Sequence, residues 1–147
     1  MKYELIIDPN REEQIIVIAH SPGELTRRIE GLVQAYSEKE GLTVYGEQTS
    51  LSLPYGKIEC ITVEDRKVYA IYEDGKKYRC SERLYELEER LPSYFIRINK
   101  STLANEHRIE RFCPTYSGGV DAVFLCGHRD YVSRRCLAEI KRRLDRT

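Results

Sequence analysis

Hydrogen-bond donors are concentrated in one short segment of this 147-residue chain, between Tyr94 and Asn105. Two isoleucines alternate there with polar residues, which is the two-residue period of a strand that buries one face. The donors within and just after this strand are Arg97, Asn99, Lys100, Ser101 and Thr102. Because no catalytic base lies beside them, the set is suited to holding an anion or reading base edges rather than to turning over a substrate.

Two further clusters of donors lie where predicted elements meet. The first is Asp65-Arg66-Lys67, and the second is Ser133-Arg134-Arg135 at the start of a predicted helix. Arg and Lys can reach guanine in a major groove, Ser and Asn suit phosphate oxygens, and the free N–H groups of a helix start favour an anion. If the strands stack, the three clusters lie on one edge of the molecule. For each cluster alone, the alternative is an ordinary solvated turn.

Catalytic and metal sites are not indicated. The five cysteines contain no Cys-x-x-Cys pair, and the close pair Cys126-Gly127-His128 has no second pair to complete a zinc site. A cysteine enzyme would need Cys113 or Cys126 beside a histidine, and nothing in the local sequence supports that arrangement. We therefore predict no enzymatic activity, no cofactor, no metal and no disulfide, and retain a small cysteine or metal enzyme as the weakest alternative.

Composition favours a folded protein with an uneven charge distribution. Hydrophobic residues make up 41% and charged residues 33% of the chain, and the formal net charge is zero. Residues 1–94 contain 13 Lys and Arg against 18 Asp and Glu, whereas residues 95–147 contain 11 against 6, a net charge of +5. This separation indicates an anionic partner for the basic part. The apolar runs are too short for a signal peptide or a membrane span, so we expect a cytoplasmic protein without membrane insertion.

The first 46 residues are predicted to form a separate strand–strand–helix unit. Two short segments rich in apolar residues predict strands at 3–8 and 14–19, and Asp8-Pro9-Asn10 predicts the turn between them. Ser21 is the predicted N-cap of a helix that ends at Gly41. The apolar stripe of this helix consists of Leu25, Ile29, Leu32, Val33 and Tyr36. Because so small a unit buries little on its own, we expect it to pack against the rest of the chain or a second copy.

The remainder of the chain, residues 47–147, has the texture of an antiparallel β fold. Short apolar runs are separated by turn residues, and Asp74-Gly75 is a strong hairpin signal. One short helix presents Leu84, Leu87 and Leu91, and a terminal helix presents apolar residues at helical spacing from Leu137 onward. With the first unit, we predict a mainly β (α+β) protein of about ten short strands and three helices.

The order of these motifs resembles the LytTR DNA-binding domain over about residues 48–147. The specific features are Phe95-Ile96-Arg97-Ile98-Asn99-Lys100-Ser101, then Asn105, then Val132-Ser133-Arg134-Arg135. The resemblance implies an elongated antiparallel fold that binds promoter DNA through loops rather than a recognition helix. It also implies that Lys67, Lys100 and Arg135 read base edges, and that Asn99, Ser101, Ser133 and Arg134 position the phosphate backbone. Arg97 is expected either to join them or to brace the sheet against an acid.

The resulting hypothesis is a sequence-specific, double-stranded DNA-binding transcriptional regulator. Only about 46 residues precede the domain, too few for a receiver domain, so the first unit is expected to form a homodimer or to receive a signal from a partner protein. The alternative is a protein-interaction module that keeps the fold without binding DNA.

Overall fold

Two antiparallel sheets form the body of the protein. The computed structural model describes residues 1–37, 41–46 and 48–145. The larger sheet has seven strands in the order β2-β1-β5-β4-β3-β7-β6. These strands are β1 (Gly41–Tyr45), β2 (Ser50–Pro54), β3 (Ile58–Glu64), β4 (Lys67–Tyr72), β5 (Lys77–Cys80), β6 (Phe95–Asn99) and β7 (Thr102–Asn105). The smaller sheet, in the order β10-β9-β8, contains β8 (Ile109–Pro114), β9 (Val120–Phe124) and β10 (Arg129–Val132).

Three helices accompany the sheets: α1 (Glu24–Ser37), α2 (Leu84–Arg90) and α3 (Arg134–Asp145). None of the helices in the described part of the chain has the length and apolar character that a membrane span requires. The predicted mainly β, antiparallel fold of about ten short strands is confirmed.

Other elements cover the larger sheet on both faces. Successive residues of a strand point to opposite sides, so neighbouring residues of β3 belong to different cores. On β3, Ile61 belongs to a core that includes Leu84 and Leu87 of α2. Its neighbour Cys60 belongs to a second core, which includes Phe124 of the smaller sheet and Ile140 of α3. The second core therefore joins the two sheets and α3 into one body.

The two strands predicted at 3–8 and 14–19 are not formed. Residues 1–23 contain neither helix nor strand, although the turn between the predicted strands is present, with the Arg11 N–H donating to the Asp8 carbonyl at 3.3 Å. Apolar side chains along both arms are exposed, including Ile7 at 83% and Ile18 at 94%. An isolated hairpin is marginal in water without a further strand or helix against it. Both segments are rich in apolar residues, but no other element of the described chain buries their side chains.

Helix α1 also differs from the prediction at its start. It begins at Glu24 rather than at Pro22, because the Gly23 carbonyl accepts the first intrahelical bond, from the Arg27 N–H at 3.1 Å. Gly41, the predicted stop, is the first residue of β1, and residues 38–40 lie outside the described part of the chain. Strand β1 precedes the predicted division at 46/47, yet it pairs with β2 and β5 within the larger sheet.

Candidate nucleic-acid interface

The turn between β3 and β4 is a tight hairpin with an unusual backbone. Asp65 and Arg66 have φ values of 50° and 64°, and the flanking Glu64 and Lys67 are paired across the hairpin. Left-handed backbone at residues other than glycine is disfavoured by roughly 1–2 kcal/mol per residue. This conformation places Arg66 and Lys67 side by side at the tip, where both are exposed. Within the described chain, neither side chain has an ion-pair or hydrogen-bond partner.

The turn between β6 and β7 lies next to this hairpin. The Ser101 carbonyl accepts a hydrogen bond from the Val63 N–H of β3 at 2.9 Å, and Thr62 pairs with Thr102 across β3 and β7. At the tip of this turn, Lys100 is exposed and its side chain is unpartnered among the described residues. Its carbonyl accepts a hydrogen bond from the Arg97 guanidinium at 2.8 Å, which fixes the backbone beneath the free ammonium group.

The junction between β10 and α3 is tied to the same end of the larger sheet. The Ser133 N–H donates to the Ile98 carbonyl of β6 at 2.8 Å. The Ser133 hydroxyl accepts a hydrogen bond from the Cys136 N–H at 3.2 Å, and its carbonyl accepts one from the Leu137 N–H at 2.8 Å. Ser133 is therefore the N-cap of α3. The next two residues, Arg134 and Arg135, are exposed at the positive end of the helix dipole.

These three loops form one surface, which we call the three-loop edge: residues 64–67, 99–102 and 132–135. A cleft of about 890 Å³ runs along β6 and α3 and reaches the last two loops, where its lining includes Lys100, Ser133 and Arg135. The backbone bonds from Val63 to Ser101 and from Ser133 to Ile98 hold the loops together. The three donor clusters, which were expected from the sequence to share an edge, thus lie on adjacent loops at one end of the larger sheet.

Buried polar contacts connect the loops from beneath. The Asn99 side chain is 1% exposed, and its Nδ2 donates to the Tyr131 carbonyl at 2.8 Å and to Asp130 Oδ1 at 3.3 Å. Its Oδ1 accepts a hydrogen bond from the Ser101 N–H at 2.8 Å. Thr102 donates to Asp130 Oδ2 at 2.6 Å. These contacts link the larger sheet to the smaller one directly under the exposed cations.

The predicted site residues therefore occupy two different environments. Lys67, Lys100, Arg134 and Arg135 are exposed at the three-loop edge, and Ser101 is half-buried behind Lys100. By contrast, Asn99 is buried with its amide engaged inside the fold, and Ser133 uses its hydroxyl for the helix cap. The phosphate contact predicted for Asn99 conflicts with this geometry, because the smaller sheet covers its side chain. The half-exposed Ser133 hydroxyl accepts the cap bond of α3, and its phosphate contact stays a prediction.

Arg97 occupies the bracing position. Its guanidinium forms an ion pair with Glu88 of α2 and donates to the Lys100 carbonyl. The residues that sequence reasoning did not assign are Arg66, Thr102 and Asp130. Arg66 lies within a cluster noted from the sequence, but its strained turn is visible only in the backbone. Asp130 follows Thr102 by 28 residues, so their spacing carries no signal that they meet.

Charge pairing differs between this edge and much of the rest of the domain. Many cations elsewhere are paired with acids, as in Lys77–Glu64 at 2.6 Å, Arg90–Glu82 at 2.9 Å and Arg108–Glu59 at 2.7 Å, although single cations such as Lys76 are not paired within the described residues. The unpaired cations of the three-loop edge, within the described chain, are Arg66, Lys67, Lys100, Arg134 and Arg135. Five cations without an acid partner in the described chain are therefore gathered at this edge, although the chain has no formal net charge.

The cysteines and histidines lie apart from this edge. Burial raises the pKa of the Cys80 thiol to about 12, and burial also raises the pKa of Cys60 well above its ordinary value. Both thiols are thus protonated at neutral pH and pack as core residues. Burial lowers the pKa of His128. Across residues 1–37, 41–46 and 48–145, no cluster of three metal-binding side chains is present.

A β fold that collects unpaired cations on loops at one sheet edge belongs to the class of domains that bind polyanions. The family model for the LytTr DNA-binding domain matches residues 48–145. The chain therefore belongs to the LytTr DNA-binding domain family. The identification made from the sequence, a DNA-binding transcriptional regulator of this family, is confirmed.

Similar proteins support the same assignment. Relatives from Staphylococcus aureus strains NCTC 8325 and COL, named uncharacterized HTH-type transcriptional regulators, are each 31% identical over 147 residues, covering 98% of both chains. A solved LytTr DNA-binding domain from Bacillus cereus matches the fold with a TM-score of 0.65 and 23% identity. That match covers 71% of this chain and 96% of the solved chain.

Proposed function

We propose that the protein recognises specific sequences in double-stranded promoter DNA through the three-loop edge. The observation that carries this proposal is the contrast in charge pairing. The cations Arg66, Lys67, Lys100, Arg134 and Arg135 lack partners in the described chain. By contrast, Lys77, Arg97 and Arg129 on the adjoining strands are each paired with an acid. Unpaired cations on adjacent loops are the groups that phosphates and guanine edges attract.

The division of roles within the edge follows the resemblance to the LytTR family. Lys67, Lys100 and Arg135 are assigned to base edges in the major groove, and each has an exposed side chain without a partner in the described chain. Arg134, Ser101 and the N-terminus of α3 are assigned to phosphates. The main role proposed for Asn99, Ser133 and Arg97 is to support the loops from behind, through the hydrogen bonds that they form within the fold.

Loop reading is favoured over a helix-turn-helix mode. A helix-turn-helix needs two helices joined by a short turn. In the described chain, strands separate each helix from the next, with β1 to β5 between α1 and α2 and β6 to β10 between α2 and α3. The name of the Staphylococcus relatives is therefore not supported by a corresponding helix pair here.

We also propose that the protein is a homodimer that associates through residues 1–46. Exposed apolar side chains run along the N-terminal arms and α1, including Leu32 at 72% and Ile16 at 71%. Many large apolar side chains exposed within one short segment are typical of an interaction site. A second copy is the proposed occupant, because two DNA-binding domains on paired half-sites gain affinity from their linkage. A signalling partner protein on the same surface is the competing occupant.

The proposed role is regulation of transcription in the cytoplasm without catalysis. Selection of bound sequences from random duplex DNA tests the central claim. An enriched motif and salt-dependent binding are expected, whereas the alternative interaction module would show no salt-dependent DNA binding. Failure to enrich any sequence would overturn sequence-specific recognition.

Alanine variants then test the three-loop edge. We expect K67A, K100A and R135A each to lose about 1–3 kcal/mol of affinity for the selected duplex and to relax preference at individual bases. The matched control is K76A. Lys76 is also exposed and unpartnered in the described chain, but it lies in the turn beyond the other end of β4, roughly 17 Å along the strand from Lys67. Equal losses in K76A and K67A would contradict the assigned surface.

The homodimer is tested by sedimentation equilibrium on the full chain. I16D and L32D place a charge in the exposed apolar surface and should shift the protein toward monomer, while K76A should not. A wild-type protein that stays monomeric at all usable concentrations would rule out the homodimer.

A further inference from the structure

We infer that Asp130 is a positioning residue for DNA recognition, whose carboxylate holds the three loops in register without contacting DNA. The inference rests on the proposed function of the three-loop edge. It concerns a residue that lies on the smaller sheet, behind the exposed cations, and that itself carries the charge least suited to contact phosphate.

Asp130 receives hydrogen bonds from both sheets. Its Oδ2 accepts from the Thr102 hydroxyl of β7 at 2.6 Å. Its Oδ1 accepts from the Asn99 amide of β6 at 3.3 Å and from the Tyr131 N–H of its own strand at 2.8 Å. Strands β6 and β7 belong to the larger sheet and β10 to the smaller one, so one carboxylate bridges the two sheets.

The bridge extends to the third loop through a chain of hydroxyls. Thr62 of β3 lies 2.9 Å from the Thr102 hydroxyl. Because the single hydroxyl proton of Thr102 is directed to Asp130, Thr62 must donate to Thr102. Each participant flanks one loop: Thr62 precedes the Lys67 hairpin, Thr102 follows Lys100, and Asp130 precedes the junction at Ser133. All three loops are therefore connected through this carboxylate.

The charge of Asp130 distinguishes positioning from direct binding. In the described chain, only neutral groups donate to it, whereas the nearby Asp121 pairs with Arg129 at 3.4 Å. An uncompensated carboxylate close to a phosphate-binding surface repels DNA of any sequence. An acid at this position is favourable if Asp130 aligns Lys100 and Arg135 with the bases of the specific DNA sequence, and if the affinity gained there exceeds the repulsion.

This reasoning gives opposite effects on two DNA probes. D130N keeps the side-chain shape, removes the negative charge and leaves one acceptor oxygen for three donors. Affinity for the duplex selected from the random pool should fall about tenfold, the usual effect of losing one hydrogen bond to a charged group. Affinity for a randomised duplex of the same length should rise, because repulsion is removed. The matched control is D121N, which lies on the same sheet but forms no bond to the larger sheet in the described chain.

Thr102 supplies an independent pair of variants. T102V keeps the shape and removes the hydroxyl that donates to Asp130, so it should reduce the ratio of specific to random affinity. T102S keeps the hydroxyl and should retain that ratio. Circular dichroism melts of the full chain confirm folding at the assay temperature, and T102V provides the test if D130N does not fold.

The possible results separate this inference from the proposed function. If the wild-type protein does not bind the selected duplex, both fail. If the wild-type protein binds but D130N changes both affinities by the same factor, in either direction, Asp130 acts only through folding or charge and the inference is overturned. Equal specificity ratios for T102V and T102S overturn it as well.

Discussion

Substitutions at Ser133 can distinguish two properties of the three-loop edge: the stability that the cap of α3 provides, and the binding of DNA. Its hydroxyl accepts a hydrogen bond from the Cys136 N–H at 3.2 Å, while its own N–H is bound to Ile98 through the backbone and is unaffected by a side-chain change. S133A therefore removes the cap alone. Loss of a serine N-cap costs about 1 kcal/mol of protein stability. For a chain of this size, that corresponds to a fall in Tm of roughly 4 °C.

The companion variant is S133D. Aspartate caps as well as serine, and its charge interacts favourably with the helix dipole, so the Tm should equal or exceed that of the wild type. The new carboxylate would lie beside Arg134 and Arg135, where phosphates are proposed to bind. A repulsion of about 1 kcal/mol, the value for two charges at contact distance in water, lowers DNA affinity about fivefold. S133D should therefore keep or raise the Tm while its affinity for DNA falls.

Differential scanning fluorimetry measures the Tm, and fluorescence anisotropy with labelled duplex measures affinity. S133A should bind nearly as well as wild type at 25 °C, because most of the protein remains folded there. A Tm change below about 1 °C in S133A would refute the cap as described. Undiminished DNA binding by S133D would show that the start of α3 does not face the phosphate backbone.

Two further predictions concern the stability of the sheets that support the edge. R108A leaves the Glu59 carboxylate, which is 0% exposed, without its cation. In urea titrations, the free energy of unfolding should fall by about 3–5 kcal/mol, and adding E59Q should restore part of it. A fall of less than about 1 kcal/mol would contradict this account. Burial lowers the pKa of His128 below 6.5, so the unfolded chain binds more protons and stability should fall as the pH drops below about 6.5. H128Q should flatten that dependence in urea titrations at pH 7.5 and 5.5, and an unchanged slope would exclude His128 as its cause.

The exposed loops could be predicted from local sequence because their signals are local. Lys100 and Arg135 each interrupt or follow an apolar strand pattern, and turns between such strands reach the surface. The N-terminal arms illustrate the limit of the same reasoning. Their apolar runs predict strands, but strand formation depends on a neighbouring strand, and the described chain supplies none at residues 1–23. The pattern identified apolar segments without identifying what covers them.

Asn99 shows why residue type alone misassigns a role. An amide near two cations matches a phosphate contact in chemistry, and the sequence contains no indication of burial beyond its place in an alternating strand. The partner that decides the matter, Tyr131, lies 32 residues further on in a different sheet. Because the smaller sheet covers Asn99, its amide nitrogen donates to the Tyr131 carbonyl, and its amide oxygen accepts from the Ser101 N–H and so holds the adjacent turn. A polar residue at a loop base is therefore as consistent with internal bracing as with binding.

The zero formal net charge of the chain does not argue against binding nucleic acid. Attraction to DNA depends on cations that are free at the contact surface, and formal charge counts paired and unpaired groups alike. Here acids neutralise cations along the flanks of the sheets, as in Lys77–Glu64, and leave those of the three-loop edge unpaired. Of the acids near the edge, Asp130 is engaged by neutral donors rather than by Lys100 or Arg135. The fold thus separates charges that the sequence mixes, and the binding surface follows from pairing rather than from composition.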